Sequence, residues 1–257
     1  MKKRESNRRR RAMLVAAMLL PLGPVRAQPP SGLLAQAGGT TGRVEGSGKV
    51  VDETRSLSGF SRLIVQAPID VRVQAADTDS VVVHADDNIA PLIETAVQGG
   101  ALLIGLRPGA SYRTHAKLLV RVKARKLDGV VLRGSGDVRA DRVEAQVFEA
   151  TLQGSGDITI DRLQAGVVAV SIAGKGDFRA TGTAGRLGVV IDGSGDAHCA
   201  SLVAQQVAVQ IRGSGDARVH ATEELKVDIE GSGDVRYRGA PKITKSIRGS
   251  GSVEPLR

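Results

Sequence analysis

A glycine-rich turn recurs at near-constant spacing through the second half of the chain, and it limits the fold more than any other feature. The tetrapeptide Gly-Ser-Gly-Asp occurs at Gly134–Asp137, Gly154–Asp157, Gly193–Asp196, Gly213–Asp216 and Gly231–Asp234. A variant, Gly174-Lys175-Gly176-Asp177, fills the remaining place in the series, and Gly249-Ser250-Gly251-Ser252 ends it with serine in place of aspartate. The first glycines lie 20, 20, 19, 20, 18 and 18 residues apart. The second glycines, Gly136, Gly156, Gly176, Gly195, Gly215, Gly233 and Gly251, keep the same phase. Gly46-Ser47-Gly48-Lys49 reads as an eighth copy far upstream. Regular self-similarity at such a period marks a repeat architecture.

The flanks show what each repeat is. Two residues before the first glycine stand Leu132, Leu152, Ile172, Ile191, Ile211, Ile229 and Ile247, and four before it Val130, Ala150, Val170, Val189, Val209 and Val227. Four residues after it come Val138, Ile158, Phe178, Ala197, Ala217, Val235 and Val253. Alternation with period two is the pattern of a strand with one buried face. No proline interrupts the ladder between Pro108 and Pro241. A unit of about 20 residues cannot bury its own apolar face, but stacked units can. A propeller blade needs about 40 residues, and no Leu/Asn signature of a leucine-rich repeat is present. The expected fold is therefore all-β: a single-chain parallel β-helix with 18–20-residue coils. Its right hand is expected from the general preference of parallel crossovers. Lys245 breaks the apolar column in the last coil, as a capping repeat does.

Upstream, residues 43–126 lack the regular turn and read as an irregular, strand-rich cap or first coils, longer-coiled or sheet-like, continuous with the coils of 127–253. Strands are expected at Arg62–Val65, Asp70–Gln74, Ser80–Val83, Leu102–Leu106 and Leu118–Lys123, with a short helical turn within Asn88–Val97. Only 2% of residues are aromatic, so the core must be built from Val, Ile, Leu and Ala.

The formal charge of +9 suggests nucleic acid until it is located. Residues 1–27 carry a net +7 and the remainder only +2. The basic block precedes an apolar run, Ala12–Leu20, and the small-residue pattern Val25-Arg26-Ala27, which together read as a secretory signal peptide cleaved after Ala27. Residues 28–42 read as a disordered leader. No later apolar run of about 18 residues exists, so no transmembrane segment is expected in the mature chain. Basic residues there are interspersed with acids and lack aromatic partners, which argues against nucleic acid.

The chemistry of the repeat is legible from its register. Asp137, Asp157, Asp177, Asp196, Asp216 and Asp234 form one outward column, and two residues on stand Arg139, Thr159, Arg179, His198, Arg218 and Arg236. The glycines and aspartates read as structural turn residues, with the two charge columns as a possible binding face. Calcium-binding solenoids use a nine-residue repeat, which does not match, so no metal is expected. Cys199 falls in the inward register, and His84, His115, His198 and His220 show no ligand spacing. No catalytic or cofactor-binding residues are assigned.

Gly46–Val50, Glu53-Thr54-Arg55, Ser58-Gly59-Phe60, Val81–Asp87, Ile93-Glu94-Thr95 and Gly99–Gly105, followed by the Gly-Ser-Gly-Asp coils, resemble the "putative auto-transporter adhesin" head GIN domain family. The resemblance implies a β-helical, exported bacterial envelope protein, in the periplasm or at the cell surface, with no established catalytic residues. The chain departs from an autotransporter in that no translocator barrel follows the coils. The expected function is a non-catalytic, adhesin-like binding scaffold for an unknown macromolecular partner. A carbohydrate-active β-helix enzyme and a periplasmic scaffold or stress factor are the alternatives.

Overall fold

The computed structural model describes residues 43–256, and the expected signal peptide and leader lie outside them. The described chain is all-β apart from one 3-10 turn: about six turns of β-solenoid, with coils of about 20 residues, and a mixed sheet at the N-terminal end. The repeat region comprises β10 (Gly129–Leu132), β11 (Val138–Ala140), β12 (Val143–Leu152), β13 (Ile158–Ile172), β14 (Phe178–Gly193), β15 (Ala197–Gly213), β16 (Ala217–Gly231), β17 (Val235–Arg238), β18 (Lys242–Gly249) and β19 (Val253–Pro255). Every pairing among these strands is parallel, each coil lying on the one before it.

The period-two columns are the core. Leu132, Leu152, Ile172, Ile191, Ile211 and Ile229 are all fully buried, as are Ile158, Phe178, Ala197, Ala217 and Val235. Only the last coil differs, since no described strand stacks beyond β18: Ile243 is 37% exposed and Ile247 36% exposed.

Glycine is required at the turn by the neighbouring coil rather than by the bend itself. A Cβ on Gly156 would lie 2.0 Å from the carbonyl oxygen of Gly136, and one on Gly215 would lie 2.2 Å from that of Gly195. The obstacle is backbone, which cannot swing aside. Variation in coil length is absorbed elsewhere: the pairing register shifts between Ile160 and Leu163, Arg179 and Thr181, Cys199 and Val203, and Ala204 and Gln206. All four shifts fall after the aspartate column and the residue two places beyond it, so the glycine turns stay aligned.

The N-terminal region holds a hidden coil. β3 (Arg62–Val65) and β4 (Asp70–Ala75) pair in parallel with β10 and β11, with Arg62 beside Gly129 and Val71 beside Val138. This places Ala67-Pro68-Ile69-Asp70 beneath Gly134-Ser135-Gly136-Asp137, so a Cβ on Gly134 would meet the Ala67 oxygen at 2.2 Å. On their other side β3 and β4 pair with β7 (Ala101–Leu106) and β9 (Leu119–Ala124), also in parallel. That lower layer detours outward between 106 and 119, so no strand runs beneath Ala67 and Ile69, and they need not be glycine.

Three antiparallel strands close this end. β5 (Ser80–Asp86) pairs with β9, β6 (Ile93–Gln98) with β7, and β2 (Val50–Arg55) with β5. β1 (Val44–Glu45) pairs with β8 (Tyr112–Arg113). The helical turn expected within Asn88–Val97 shrinks to a 3-10 turn at Ala90–Leu92, since Pro91 suits a first turn and β6 begins at Ile93. Gly46-Ser47-Gly48-Lys49 is not a coil turn. It clasps the end of β5: the Gly48 amide donates to Asp86 Oδ1 at 3.1 Å and the Ser47 hydroxyl to Asp87 Oδ1 at 2.6 Å. Asp86, 1% exposed, also accepts from the Thr114 hydroxyl.

Replacing Gly215 with alanine is expected to cost at least about 3 kcal/mol, because overpacking here is against backbone. Gly105→Ala in β7, where a Cβ meets nothing within 4 Å, should change stability by less than about 0.5 kcal/mol. Urea unfolding of both variants checks the contrast.

Candidate functional site

The outward face beside the glycine turn carries an amide–carboxylate ladder. The Asp157 amide donates to Asp137 Oδ1 at 3.0 Å, that of Asp177 to Asp157 at 2.9 Å, and that of Asp196 to Asp177 at 3.0 Å. Asp216 and Asp234 repeat the bond at 2.8 and 2.9 Å. Asp70, in the hidden coil, opens the ladder by accepting the Asp137 amide at 3.0 Å. The Ser252 amide closes it on Asp234 at 2.8 Å. Each aspartate thus satisfies the amide of the coil above it. Ser252 can stand in place of aspartate because no described coil follows with an amide to cap.

Magnitudes show which role dominates. A buried amide without a partner costs about 1–3 kcal/mol. Repulsion between carboxylates stacked one coil apart costs about 1 kcal/mol in water, and a solvent-exposed ion pair returns about 0–1 kcal/mol. The acceptor function therefore outweighs the charge.

The basic column compensates that charge unevenly. Arg179 bridges Asp157 at 2.8 Å and Asp177 at 2.7 Å. Arg139 turns away from the column and holds Asp161 through two bonds of 2.9 Å. Arg236 lies 3.9 Å from Asp234, and Arg218 makes no ion pair within 4.0 Å among the described residues.

A second ladder was not read from the sequence. The residue immediately before each first glycine forms its own column, and its upper part alternates in sign: Asp192, Arg212, Glu230, Arg248. Arg212 contacts Asp192 at 3.2 Å and Glu230 at 3.8 Å, and Arg248 contacts Glu230 at 2.5 Å. The strict alternation one place ahead of the glycine was the available signal. Between the two ladders, Ser135, Ser155, Ser194, Ser214 and Ser232 are exposed, and their hydroxyls make no hydrogen bond among the described residues.

Asp177, Asp196 and His198 have potential metal-ligand atoms within 4.8 Å of one another, the only such group of three among the described residues. Both Asp177 oxygens are engaged, Oδ1 by the Asp196 amide and Oδ2 by Arg179 at 2.7 Å and His198 at 3.4 Å. Cys199 is wholly buried in the inward column, and burial pushes its thiol up to about 12, so it stays protonated at neutral pH. His84 sits on a different surface, 2.6 Å from Asp52, which Arg121 also holds.

Two depressions mark the described surface. One, of about 510 Å3, lies among Arg55, Leu57, Pro91, Ile93 and Arg107; the other, of about 340 Å3, lies among Gln146, Val147, Val167, Arg186 and Gln205. Neither contains a glycine-turn or ladder residue.

In the cap, Asp79 holds the start of the hidden coil. Its side chain is 2% exposed and accepts the Gly59 amide at 2.8 Å and the Arg125 amide at 3.1 Å. Burial would raise its pKa, but these two amides and the Arg125 guanidinium outweigh burial and hold it below the ordinary carboxylate value.

A continuous parallel solenoid whose coils are cross-linked by side-chain acceptors, with polar ladders along one flank, defines a repeat-built β-solenoid protein. The chain belongs to the family described as "putative auto-transporter adhesin, head GIN domain", whose model matches residues 59–241. It is similar in structure to a putative adhesin from Bacteroides fragilis, with TM-score 0.79, 22% identity, and coverage of 83% of this chain and 100% of that one. A putative adhesin from Parabacteroides distasonis matches with TM-score 0.68 and 26% identity over 84% of this chain and 100% of that one. A putative lipid binding protein from the same species matches with TM-score 0.67 and 24% identity over the same shares. The chain matches no curated protein.

Asp196→Ala should lose about 1–3 kcal/mol by stranding the Asp216 amide, while Asp196→Asn, which keeps an acceptor oxygen, should lose less than half as much. Thermal denaturation of the two variants separates the acceptor role from the charge. The Asp79 contribution has its own pH signature. With the folded-state pKa below the unfolded one, it is complete above about pH 4 and is lost as pH falls through the depressed value. Asp79→Asn should therefore be less stable at pH 7, with a gap to wild type that narrows in urea melts below pH 4.

Proposed function

We propose that this protein is exported and acts without catalysis in the cell envelope or at the surface of a bacterium, as a scaffold that binds an extended partner along its ladder flank. The observation that carries this reading is the row of unbonded serine hydroxyls, broken only by Lys175, between two ladders in which acidic and basic side chains alternate or lie side by side. Such a surface offers repeated hydrogen-bonding groups at the coil spacing of about 4.8 Å, with little net charge. The geometry is held rigidly by the stacked backbone, so little ordering entropy is lost when a partner docks. Family membership and the putative adhesins among its structural relatives support an adhesin-like role. The basic block, apolar run and Val25-Arg26-Ala27 pattern of the sequence support export.

Protease shaving of intact cells beside fractionated periplasm, followed with an antibody to the mature chain, tests location and role together. The expected result is an N-terminus at Gln28 and digestion on intact cells. Protection until the outer membrane is broken would remove the adhesin reading and favour a periplasmic scaffold. Release of reducing ends from a glycan panel would overturn the non-catalytic reading.

A further inference from the structure

The two ends of the solenoid differ. At the N-terminal end, antiparallel strands β5 and β6 cover the lowest parallel layer. At the other end β18 pairs only with β16, and β19 only with β17. In interior coils the Leu132 carbonyl accepts the Gln153 amide, the Leu152 carbonyl accepts the Ala173 amide, and the Gly231 carbonyl accepts the Ser250 amide. The corresponding carbonyls of the last coil, at Ile247 and Gly249, receive no donor among the described residues. All eight residues of β18 are exposed. β19 ends in Pro255, which has no amide to give, so β18 is the edge competent for pairing.

The side chains along β18 select what can pair with it. Lys242, Lys245 and Arg248 make it basic with no acidic residue, and Lys245 occupies the inward column that is valine or alanine in every other glycine-turn coil and Leu63 in the hidden one. An inward-pointing charge on an edge strand opposes pairing with its own kind. Antiparallel self-pairing of two copies through β18 would bring the like charges of the two strands together. Head-to-tail addition through β2 of another copy meets acids already engaged, Asp52 by His84 and Arg121, and Glu53 by Arg55. Within the solenoid, the strand beneath β18 shows what suits this edge: Glu224 lies beside Lys242, and Glu230 beside Arg248.

We propose that the free edge of β18 is a docking site for an extended acidic segment of another protein, which adds as a further parallel strand. Its acids face Lys242 and Lys245, which make no ion pair within 4.0 Å among the described residues, while an acid beside Arg248 shares that guanidinium with Glu230, and its small apolar residues cover Ile243 and Ile247. This site is at the end of the solenoid and does not depend on the ladder flank. Lys245 gives the edge its selectivity, repelling a second copy while pairing with an inward acid of the incoming strand.

The test is fluorescence anisotropy with a labelled peptide Asp-Val-Thr-Asp-Ser-Val-Glu, which matches this register. Controls are the same peptide with lysines for its acids, and one N-methylated at alternate amides. The acidic peptide should bind in a salt-sensitive way, each control should bind at least about tenfold more weakly, and Lys245→Glu should weaken binding of the acidic peptide and narrow its preference over the lysine peptide. Hydrogen exchange should slow in β18 when the acidic peptide is bound. A thermal melt of Lys245→Glu shows that the variant is folded. Absence of binding by the acidic peptide, equal binding of the N-methylated one, or protection elsewhere than β18 would overturn the proposal. Self-association of the unmodified protein in sedimentation would also overturn it, by making a second copy the occupant.

Discussion

The close approach of one coil's backbone to the next at the glycine turn governs the rest of this molecule. Where the carbonyl of one coil lies about 2 Å from where a Cβ of the next would be, no L side chain fits without moving backbone. The turn is therefore the fixed point of every repeat. Stacking at that distance also directs each aspartate amide at the preceding carboxylate, so the same constraint that excludes side chains at the glycines selects an acceptor one residue later. The serine between them points outward and is released from structural duty.

Departures from the pattern follow the same rule. The hidden coil at 62–75 tolerates Ala67, Pro68 and Ile69 because the layer below leaves the stack between β7 and β9. The lack of an amide on Pro68 costs nothing where no carbonyl waits beneath it. Ser252 replaces aspartate where no described amide follows. Changes in coil length collect at the opposite corner, where register shifts do not force backbone into backbone.

The regular coils were legible because burial in a solenoid is periodic along the chain, so columns such as Leu132 to Ile229 announce themselves by position. The hidden coil was legible only as first coils somewhere within a strand-rich cap over 43–126, since its partner lies 67 residues downstream and its turn lacks the glycines that mark the others. Asp70-Val71-Arg72 does repeat the Asp137-Val138-Arg139 pattern, but without the glycines it reads as an ordinary strand. Gly46-Ser47-Gly48 misled in the opposite sense: the motif is right, but a glycine turn signals a coil only when a second coil stacks on it, and here it wraps Asp86 instead. The alternating ladder of Asp192, Arg212, Glu230 and Arg248 was visible in the register, but the aspartates inside the motif are more conspicuous than the variable residue before it. The pairing of Arg139 with Asp161, rather than with the aspartate column, required three-dimensional geometry.

Internal pairing also decides where this protein can offer charge to a partner. Arginines 139, 179, 212 and 248 are already spent on carboxylates of the same flank, so the ladder side is nearly neutral to an approaching molecule. Hydroxyls, with Arg218 and Lys175 set against Asp137, Asp196 and Asp216, are what it has left, a mixture of signs that suits hydrogen bonding to a repetitive partner more than attraction to a charged one. At the C-terminal end the balance reverses. The stacking that neutralises each coil with its neighbours stops at β18, and Lys242 and Lys245 have no ion-pair partner within 4.0 Å among the described residues. In a solenoid whose backbone bonds and charges are satisfied by the adjacent coil, the last coil is where unsatisfied backbone and unsatisfied charge coincide. Specific recognition of another chain is favoured where both can be met at once, because a strand that completes the ladder with acids in register gains from each.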